Sequence, residues 1–207
     1  RCRLVARPPG RRPHGVRMSG IQPARRVAAE VLAAVRVADA YANLVLPARI
    51  RQARLSGADA GFATELVYGT LRMQGYYDAV IELAARRPAA KIDAPVLEVL
   101  RLGAHQLLTL RTAPHAVIDE SVELVRRARK ASAAGFVNGV LRTLSRDEPD
   151  AWRARALDGL SGAARLALEH SHPQWVVTAL EDSLALEGAE SELPELLAAD
   201  NAAPQVA

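Results

Sequence analysis

Residues 23–36 read PARRVAAEVLAAVR and carry an apolar stripe of helical period. One branched apolar side chain recurs at every fourth position, as Val27, Val31 and Val35. That spacing places the three on one face of an α-helix. Pro23 suits the first turn, where its missing N–H would have had no partner inside the helix. The stretch therefore predicts an amphipathic helix, and Arg25 and Arg26 give it a basic beginning.

The same period continues beyond this stretch and predicts further helices. Asp59 is a candidate N-cap for a segment whose stripe is Phe62, Leu66, Thr70 and Met73. Later helices are expected over about 43–55, from Asp93-Ala-Pro95 to Leu110, from Pro114 to Lys130, and from Phe136 to Leu144, with Phe136 buried. Gly103 in a helix interior costs about 1 kcal/mol relative to Ala, which is tolerable if another helix approaches closely there.

After Leu144 the chain becomes acidic and its helical pieces shorten. They are expected around Trp152–Leu157, Ala163–His170, Trp175–Leu186 and Pro194–Ala199. Neither an alternating strand pattern nor a repeat of fixed period occurs. The sequence predicts an all-α protein with a flexible basic arm (1–22), a helical bundle (23–146) and an acidic helical linker (147–207) that leans on the bundle.

Charge is distributed unevenly along the 207 residues. The net charge is only +4, but residues 1–26 hold eight Arg and no acid. Residues 27–144 carry 15 basic and 11 acidic residues, whereas residues 145–207 carry 4 basic and 12 acidic ones. This asymmetry is typical of a basic front that meets a polyanion and an acidic rear that does not. A solvated Arg-rich tail is the alternative.

Other composition features narrow the class of protein. Cys2 is the single cysteine, so the chain can form no internal disulfide and no cysteine cluster for zinc. Charges interrupt every apolar stretch before the roughly twenty residues that would cross a bilayer. These features predict a cytoplasmic protein without membrane insertion.

Residues that could perform catalysis are few, and none forms a convincing set. His170 and His172 have the wrong spacing for one helical face, so a capping or core role is favoured over a metal site. Asp119 and Glu120 are expected in the first turn of their helix, where carboxylates stabilise the dipole. The tail around Cys2 offers no rigid partner that would lower the pKa of its thiol. We therefore expect no catalytic residues, no metal site and no cofactor-binding site in this chain.

Five runs in the bundle region form a recognisable set. They are ARRVAAE (24–30), FATELVYGTLR (62–72), VLRLGAHQLL (99–108), PHAVIDESVEL (114–124) and FVNGVLR (136–142). Together, across residues 23–146, they resemble the N-terminal domain of the Sun/Fmu (RsmB) family of ribosomal-RNA cytosine methyltransferases. That domain is similar to the antitermination factor NusB.

The resemblance implies a NusB-like helical bundle that binds ribosomal RNA. In the intact enzyme it implies a following domain that uses S-adenosylmethionine to methylate carbon five of a cytosine in small-subunit ribosomal RNA. Two tail segments look like the family's approach to that domain, namely SHPQW (171–175) and DNAAP (200–204). The sequence stops before a cofactor-binding sheet or the family's catalytic cysteines. We therefore expect ribosomal RNA and the chain's own methyltransferase domain as partners.

The resemblance also implies which residues touch RNA. NusB-like proteins meet RNA largely through a basic helix beginning, which corresponds here to Arg25 and Arg26. A helix N-terminus offers free N–H groups to phosphate, and guanidinium groups add paired hydrogen bonds. Three arginines inside the recognised runs are further candidates, although each could instead pair with a carboxylate: Arg72, Arg101 and Arg142.

Two other functions fit the same pattern. A NusB-type antitermination factor would act through RNA and a ribosomal-protein partner, but the acidic segment after Ser145 argues against it. A pure interaction scaffold would bind only its own methyltransferase domain. In that case substitution of Arg25 and Arg26 would leave a weak RNA affinity unchanged.

Overall fold

The computed structural model describes residues 20–202, and all its regular elements are helical. The all-α prediction is confirmed. The helices are α1 Pro23–Ala38, α2 Ala42–Gln52, α3 Gly57–Arg72, α4 Gln74–Ala85, α5 Ala94–Ala104, α6 Pro114–Arg127, α7 Ala134–Leu144, α8 Pro149–Leu157, α9 Gly162–Glu169, α10 Gln174–Glu187 and α11 Leu193–Asp200. Within residues 20–202 no helix is long and apolar enough to span a membrane. The expected basic arm lies almost wholly outside the described residues.

Helices α1 to α7 pack around one hydrophobic core, which also takes in Trp152 of α8. The predicted stripe of α1 faces inward, and Val27 and Val31 are fully buried. Gly103 marks the expected close approach of two helices. A Cβ atom at this position would lie 2.7 Å from Leu141 Cδ2. Glycine here lets α5 and α7 pack at short range.

Several predicted helix ends differ from those observed. Ser56 holds the N-cap position of α3, and Asp59 instead accepts a hydrogen bond from Gln22 Nε2 at 3.3 Å. Asp93 holds the N-cap position of α5 without a capping hydrogen bond, because its carboxylate pairs with Lys130 at 2.6 Å. Helix α6 ends at Arg127 rather than Lys130. Asp59 and Asp93 thus each join two elements instead of capping their own helix.

Three helices end in the same turn with an arginine where glycine is usual. After α2, Leu55 N–H donates to Ile50 O while Arg54 adopts a left-handed φ of 55°. The same six-residue closure follows α4 and α6, with Arg86 and Arg129 in the left-handed position. Glycine favours this conformation because it has no Cβ. Each arginine therefore carries a backbone cost that its side chain does not relieve.

A buried polar cluster lies where α5 continues into the π-helical segment His105–Thr109. Tyr77 Oη lies 2.8 Å from His105 Nδ1 and 2.7 Å from Thr109 Oγ1. Burial, together with the nearby Arg72 charge, lowers the pKa of His105 to about 4. Burial also raises the pKa of Tyr77. The ring of His105 is therefore neutral at physiological pH.

His105 also sets a steric limit on α3. A Cβ atom at Gly69 would lie 2.3 Å from His105 Cε1. Glycine at this position leaves the space that the imidazole ring occupies.

The segment after α7 has a small core of its own, formed by Ala167, Val177, Leu193 and Leu197. Two contacts attach it to the bundle. Trp152 Nε1 donates to Leu144 O at 3.0 Å, and Ser171 Oγ accepts a hydrogen bond from Gly75 N–H at 2.9 Å. The predicted helical pieces of this segment are confirmed as α8 to α11.

Candidate nucleic-acid interface

The beginning of α1 meets α3, α6 and the π-helical segment around the side chain of Arg25. Only 7% of Arg25 is exposed. Its guanidinium donates to Gln106 Oε1, to Glu120 Oε1 at 2.6 Å and to Gln22 Oε1 at 3.1 Å. It also lies over the ring of Phe62, 5.4 Å from the centroid. Arg25 therefore donates through Nε and Nη1 inside the protein and positions the start of α1.

Glu120 completes this cluster from α6. Its second carboxylate oxygen accepts a hydrogen bond from the backbone N–H of Gln22 at 2.9 Å. The expectation that Glu120 and Asp119 lie in the first turn of their helix is wrong, because α6 begins at Pro114. Glu120 stabilises the start of α1 rather than the start of its own helix.

Arg26 points away from this cluster, and its side chain is about half exposed. The closest carboxylate is that of Glu30, at 3.9 Å on the next turn. An exposed pair at that distance contributes little and is easily exchanged for another anion. Of the two arginines assigned to the helix beginning, Arg26 has the side chain that can meet a phosphate.

The other three candidate arginines lie on different helices. Arg101 forms a bidentate pair with Asp78, with distances of 2.6 and 2.7 Å, and so joins α5 to α4. Arg142 is exposed on α7 and donates to Asn138 Oδ1 at 3.1 Å. Arg72 is half-buried beside the His105 cluster. Of the three, only Arg142 is exposed as Arg26 is.

Sequence reasoning missed three arginines that come shortly before the chain returns to the start of α1. They are Arg49 and Arg51 of α2 and Arg54 just after it. The chain returns to the start of α1 soon after α2, as shown by the contact of Asp59 with Gln22. The available signal was the absence of any acidic residue between Asp39 and Asp59. Residues 20–58 hold 6 basic and 2 acidic residues, so the first two helices carry a net positive charge.

The two histidines of the tail lie at a junction of its helices. His172 Nδ1 donates to His170 O at 2.8 Å, and Asn201 Nδ2 donates to the same oxygen at 2.6 Å. His172 Nε2 is 3.6 Å from the Asp200 carboxylate. The segments SHPQW and DNAAP therefore meet, although residues 203 and 204 of the latter lie outside the described part. Residues 20–202 contain no group of three potential metal ligands.

Comparison with protein families assigns the bundle. Residues 22–146 match the model of the NusB family, a range that coincides with the seven-helix bundle. The chain belongs to the NusB family. The predicted likeness of residues 23–146 to the NusB-like domain of the Sun/Fmu (RsmB) methyltransferases is confirmed by this match and by the relatives below.

Relatives of this NusB-family chain are longer proteins. It is 44% identical over 197 residues to a "putative methyltransferase" of Mycobacterium tuberculosis strain H37Rv, covering 94% of this chain and 43% of that protein. It is 35% identical over 167 residues to the "probable ribosomal RNA small subunit methyltransferase B" of Bacillus subtilis strain 168, covering 80% and 36%. The chain thus spans about two fifths of the length of the relatives it matches.

A solved structure also resembles the NusB-family bundle. It is the structure called "Crystal Structure of a Plectonemic RNA Supercoil", and its matching protein chain aligns with a TM-score of 0.54 at 26% identity. The match covers 59% of this chain and 91% of that one. The bundle alone therefore accounts for almost all of the solved chain.

Proposed function

We propose that this chain docks ribosomal RNA for a methyltransferase domain that acts on the small ribosomal subunit. The proposal rests on the net positive charge of the first two helices in a NusB-family bundle whose relatives are named ribosomal RNA small subunit methyltransferase B. In those relatives more than half of the length lies beyond the matched part. S-adenosylmethionine and the cytosine-C5 chemistry would belong to that part, and the place of action would be the cytoplasm.

Docking would use Arg26 as a phosphate contact at the start of α1. The first N–H groups of a helix carry a partial positive charge that adds to the guanidinium. Arg25 would contribute indirectly, because its contacts with Glu120 and Gln106 hold the start of α1 in place. Arg72, Arg101 and Arg142 would play at most a secondary part, since they lie on other faces or in ion pairs.

The tail would connect the docking bundle to the methyltransferase domain. Trp175 lies at the start of α10 and is 74% exposed, although aromatic residues make up only 4% of the chain. Large exposed aromatic side chains are enriched at protein interfaces. This observation favours a contact with the chain's own catalytic domain in addition to RNA docking.

The test measures RNA binding at several salt concentrations, for the wild type and for a variant that lacks one exposed arginine. A fluorescently labelled small-subunit ribosomal-RNA fragment is titrated with the wild-type chain and with Arg26→Ala. Arg165→Ala is the matched control, because Arg165 is also about half exposed and also pairs with a carboxylate one turn away, at 3.7 Å. We expect Arg26→Ala to weaken binding and to reduce the salt slope by about one. Arg165→Ala should bind as the wild type does.

Two outcomes would overturn this function. Absence of wild-type affinity at low salt would leave the chain as an interaction scaffold. Equal losses for Arg26→Ala and Arg165→Ala would mean that binding follows net charge and not a docking surface.

A further inference from the structure

The outer face of α2 has no partner in the described part of the chain. Leu46 points inward and is 2% exposed, whereas Tyr41 and Leu44 are 74% and 69% exposed. Residues three and four apart on a helix share a face, so Tyr41, Leu44, Ala48 and Arg51 form one outward row. An aromatic ring thus begins the row and a cation ends it.

The cations of this segment have no carboxylate partners. Within residues 20–202, Arg49, Arg51 and Arg54 form no ion pair, and Arg49 donates only to Gln52 Oε1 at 3.1 Å. Other arginines of the described part do pair with carboxylates, as Arg36 does with Glu98 and Arg153 with Glu169. Like charges this close repel one another when no acid lies between them. The exposed Arg51 and Arg54, together with the half-buried Arg49 on the flank of the helix, are therefore the cations available to an anion outside the bundle.

After α2 the chain returns to the start of α1. Asp59 follows Gln52 by only a few residues, and its carboxylate lies 3.3 Å from Gln22 Nε2 at the start of α1. The cationic end of α2 therefore leads by a short stretch of chain to the contact with the start of α1, and Tyr41 lies at the other end of α2. Ten residues of helix separate Tyr41 from Arg51, a span of about 15 Å.

We propose that the outer face of α2 binds a single-stranded segment of RNA. Arg49, Arg51 and Arg54 contact its phosphates, and Tyr41 stacks on one of its bases. Proteins hold unpaired strands with aromatic side chains that stack on the bases and with cations that follow the phosphates. A base in a duplex is already stacked between its neighbours and cannot offer its face to such a ring. The proposal rests on the RNA docking described above and extends it from the start of α1 to a complete helix face.

An RNA occupant suits this face better than a protein. The face carries positive charge with no acidic residue between Asp39 and Asp59, which suits a polyanion, and its exposed ring suits a base. An acidic protein is the alternative occupant, and it would leave RNA affinity independent of these residues.

The experiment compares two variants that remove the same number of charges. In the first, Arg49, Arg51 and Arg54 are changed to Gln. In the control, Arg126, Arg127 and Arg129 at the end of α6 are changed to Gln. Binding of a short unpaired ribosomal-RNA oligonucleotide is measured across a salt series. A hairpin stem with the same number of phosphates is measured beside it, and circular dichroism establishes that each variant is folded.

We expect the α2 variant to bind the single strand at least tenfold more weakly than the control variant. Its salt slope should fall by about two, since each single-strand phosphate contact contributes about 0.7. The wild type should prefer the single strand to the stem.

Tyr41 tests the stacking part separately. Tyr41→Ala should weaken single-strand binding by about tenfold with an unchanged salt slope, because stacking releases few counterions. Tyr41→Phe should retain the affinity, since it keeps the ring.

The outcomes separate this proposal from the one on which it rests. If the α2 and α6 variants bind equally well while Arg26→Ala binds weakly, the RNA-docking function is supported and the proposed binding of RNA by α2 is wrong. If the wild type binds no RNA, the docking function itself fails. A preference for the stem, or equal affinities of Tyr41→Ala and wild type, would overturn base stacking on α2.

Discussion

Arginine has opposite surroundings in two regions of this bundle. Inside, Arg25 is surrounded by Gln22, Gln106 and Glu120 and lies against an aromatic ring. On the outer face of α2, Arg51 is exposed and has no carboxylate partner within residues 20–202. A buried charge must have partners because desolvation is costly, whereas a charge that binds an external anion must be free of them. The same residue type therefore stabilises the fold in one region and is available for binding in the other.

The sharpest test of this comparison is removal of the buried cation. Arg25→Met should lower the free energy of unfolding by about 4 kcal/mol, because Glu120 and Gln106 would lose their donor inside the bundle. Arg51→Met on α2 should change it by less than about 0.5 kcal/mol. Urea denaturation followed by circular dichroism measures both. Equal effects of the two substitutions would remove the distinction between the regions.

Acid should weaken the interior and leave the α2 face unaffected. The pKa of His105 is about 4 in the folded protein and near 6.5 in the unfolded chain, so the unfolded chain takes up the proton first as the pH falls. The contribution of neutral His105 to the free energy of unfolding is complete above pH 6.5 and is lost as the pH falls towards 4. The loss should approach about 3 kcal/mol, since one pKa unit corresponds to about 1.4 kcal/mol.

The measurement is the free energy of unfolding at several pH values from 7 to 4. His105→Gln should flatten the decline in this range, even if it lowers stability at pH 7. Arg51→Gln should keep the wild-type slope. A wild-type slope in His105→Gln would assign the acid sensitivity to other groups.

The smallest expected effect lies at Arg54, where stability and binding should move in opposite directions. Arg54→Gly should raise the free energy of unfolding by about 1 kcal/mol, because glycine adopts the left-handed φ without a Cβ clash. It should also weaken binding of the single-stranded oligonucleotide. Arg86→Gly has the same backbone conformation at the end of α4 and should stabilise without that loss. Thermal melts and binding titrations of both variants provide the comparison, and a similar loss in both would argue against a special role for Arg54.

Periodicity predicted much of the fold because burial on a helix repeats every three or four residues. The inward stripe of α1, the first-turn prolines at 95 and 114, and the close approach at Gly103 were all readable in this way. Helix ends were less predictable, since Asp59 and Asp93 bond to distant partners instead of capping. Phe136 was expected to be buried but is only partly so, with Arg87 5.4 Å from its ring centroid.

The candidate interface was harder to predict because an arginine's partners come from distant parts of the sequence. Gln106 and Glu120 are far from Arg25 along the chain, and no local pattern indicates that they enclose it. Arg26 is the next residue and faces solvent. The α2 arginines were overlooked because they interrupt an apolar pattern without forming a motif. Only the absence of nearby acids distinguished them.

The contact between Gly69 and His105 ties two distant positions together in evolution. A descendant that gains a side chain at position 69 can keep this packing only if the ring at position 105 is replaced or displaced. Replacing the ring also removes one of the two hydrogen-bond partners of Tyr77. The order of mutations is thereby constrained: a smaller residue at 105 must come before a larger one at 69. Ancestral and present-day sequences of this family should accordingly show the two sites changing as a pair.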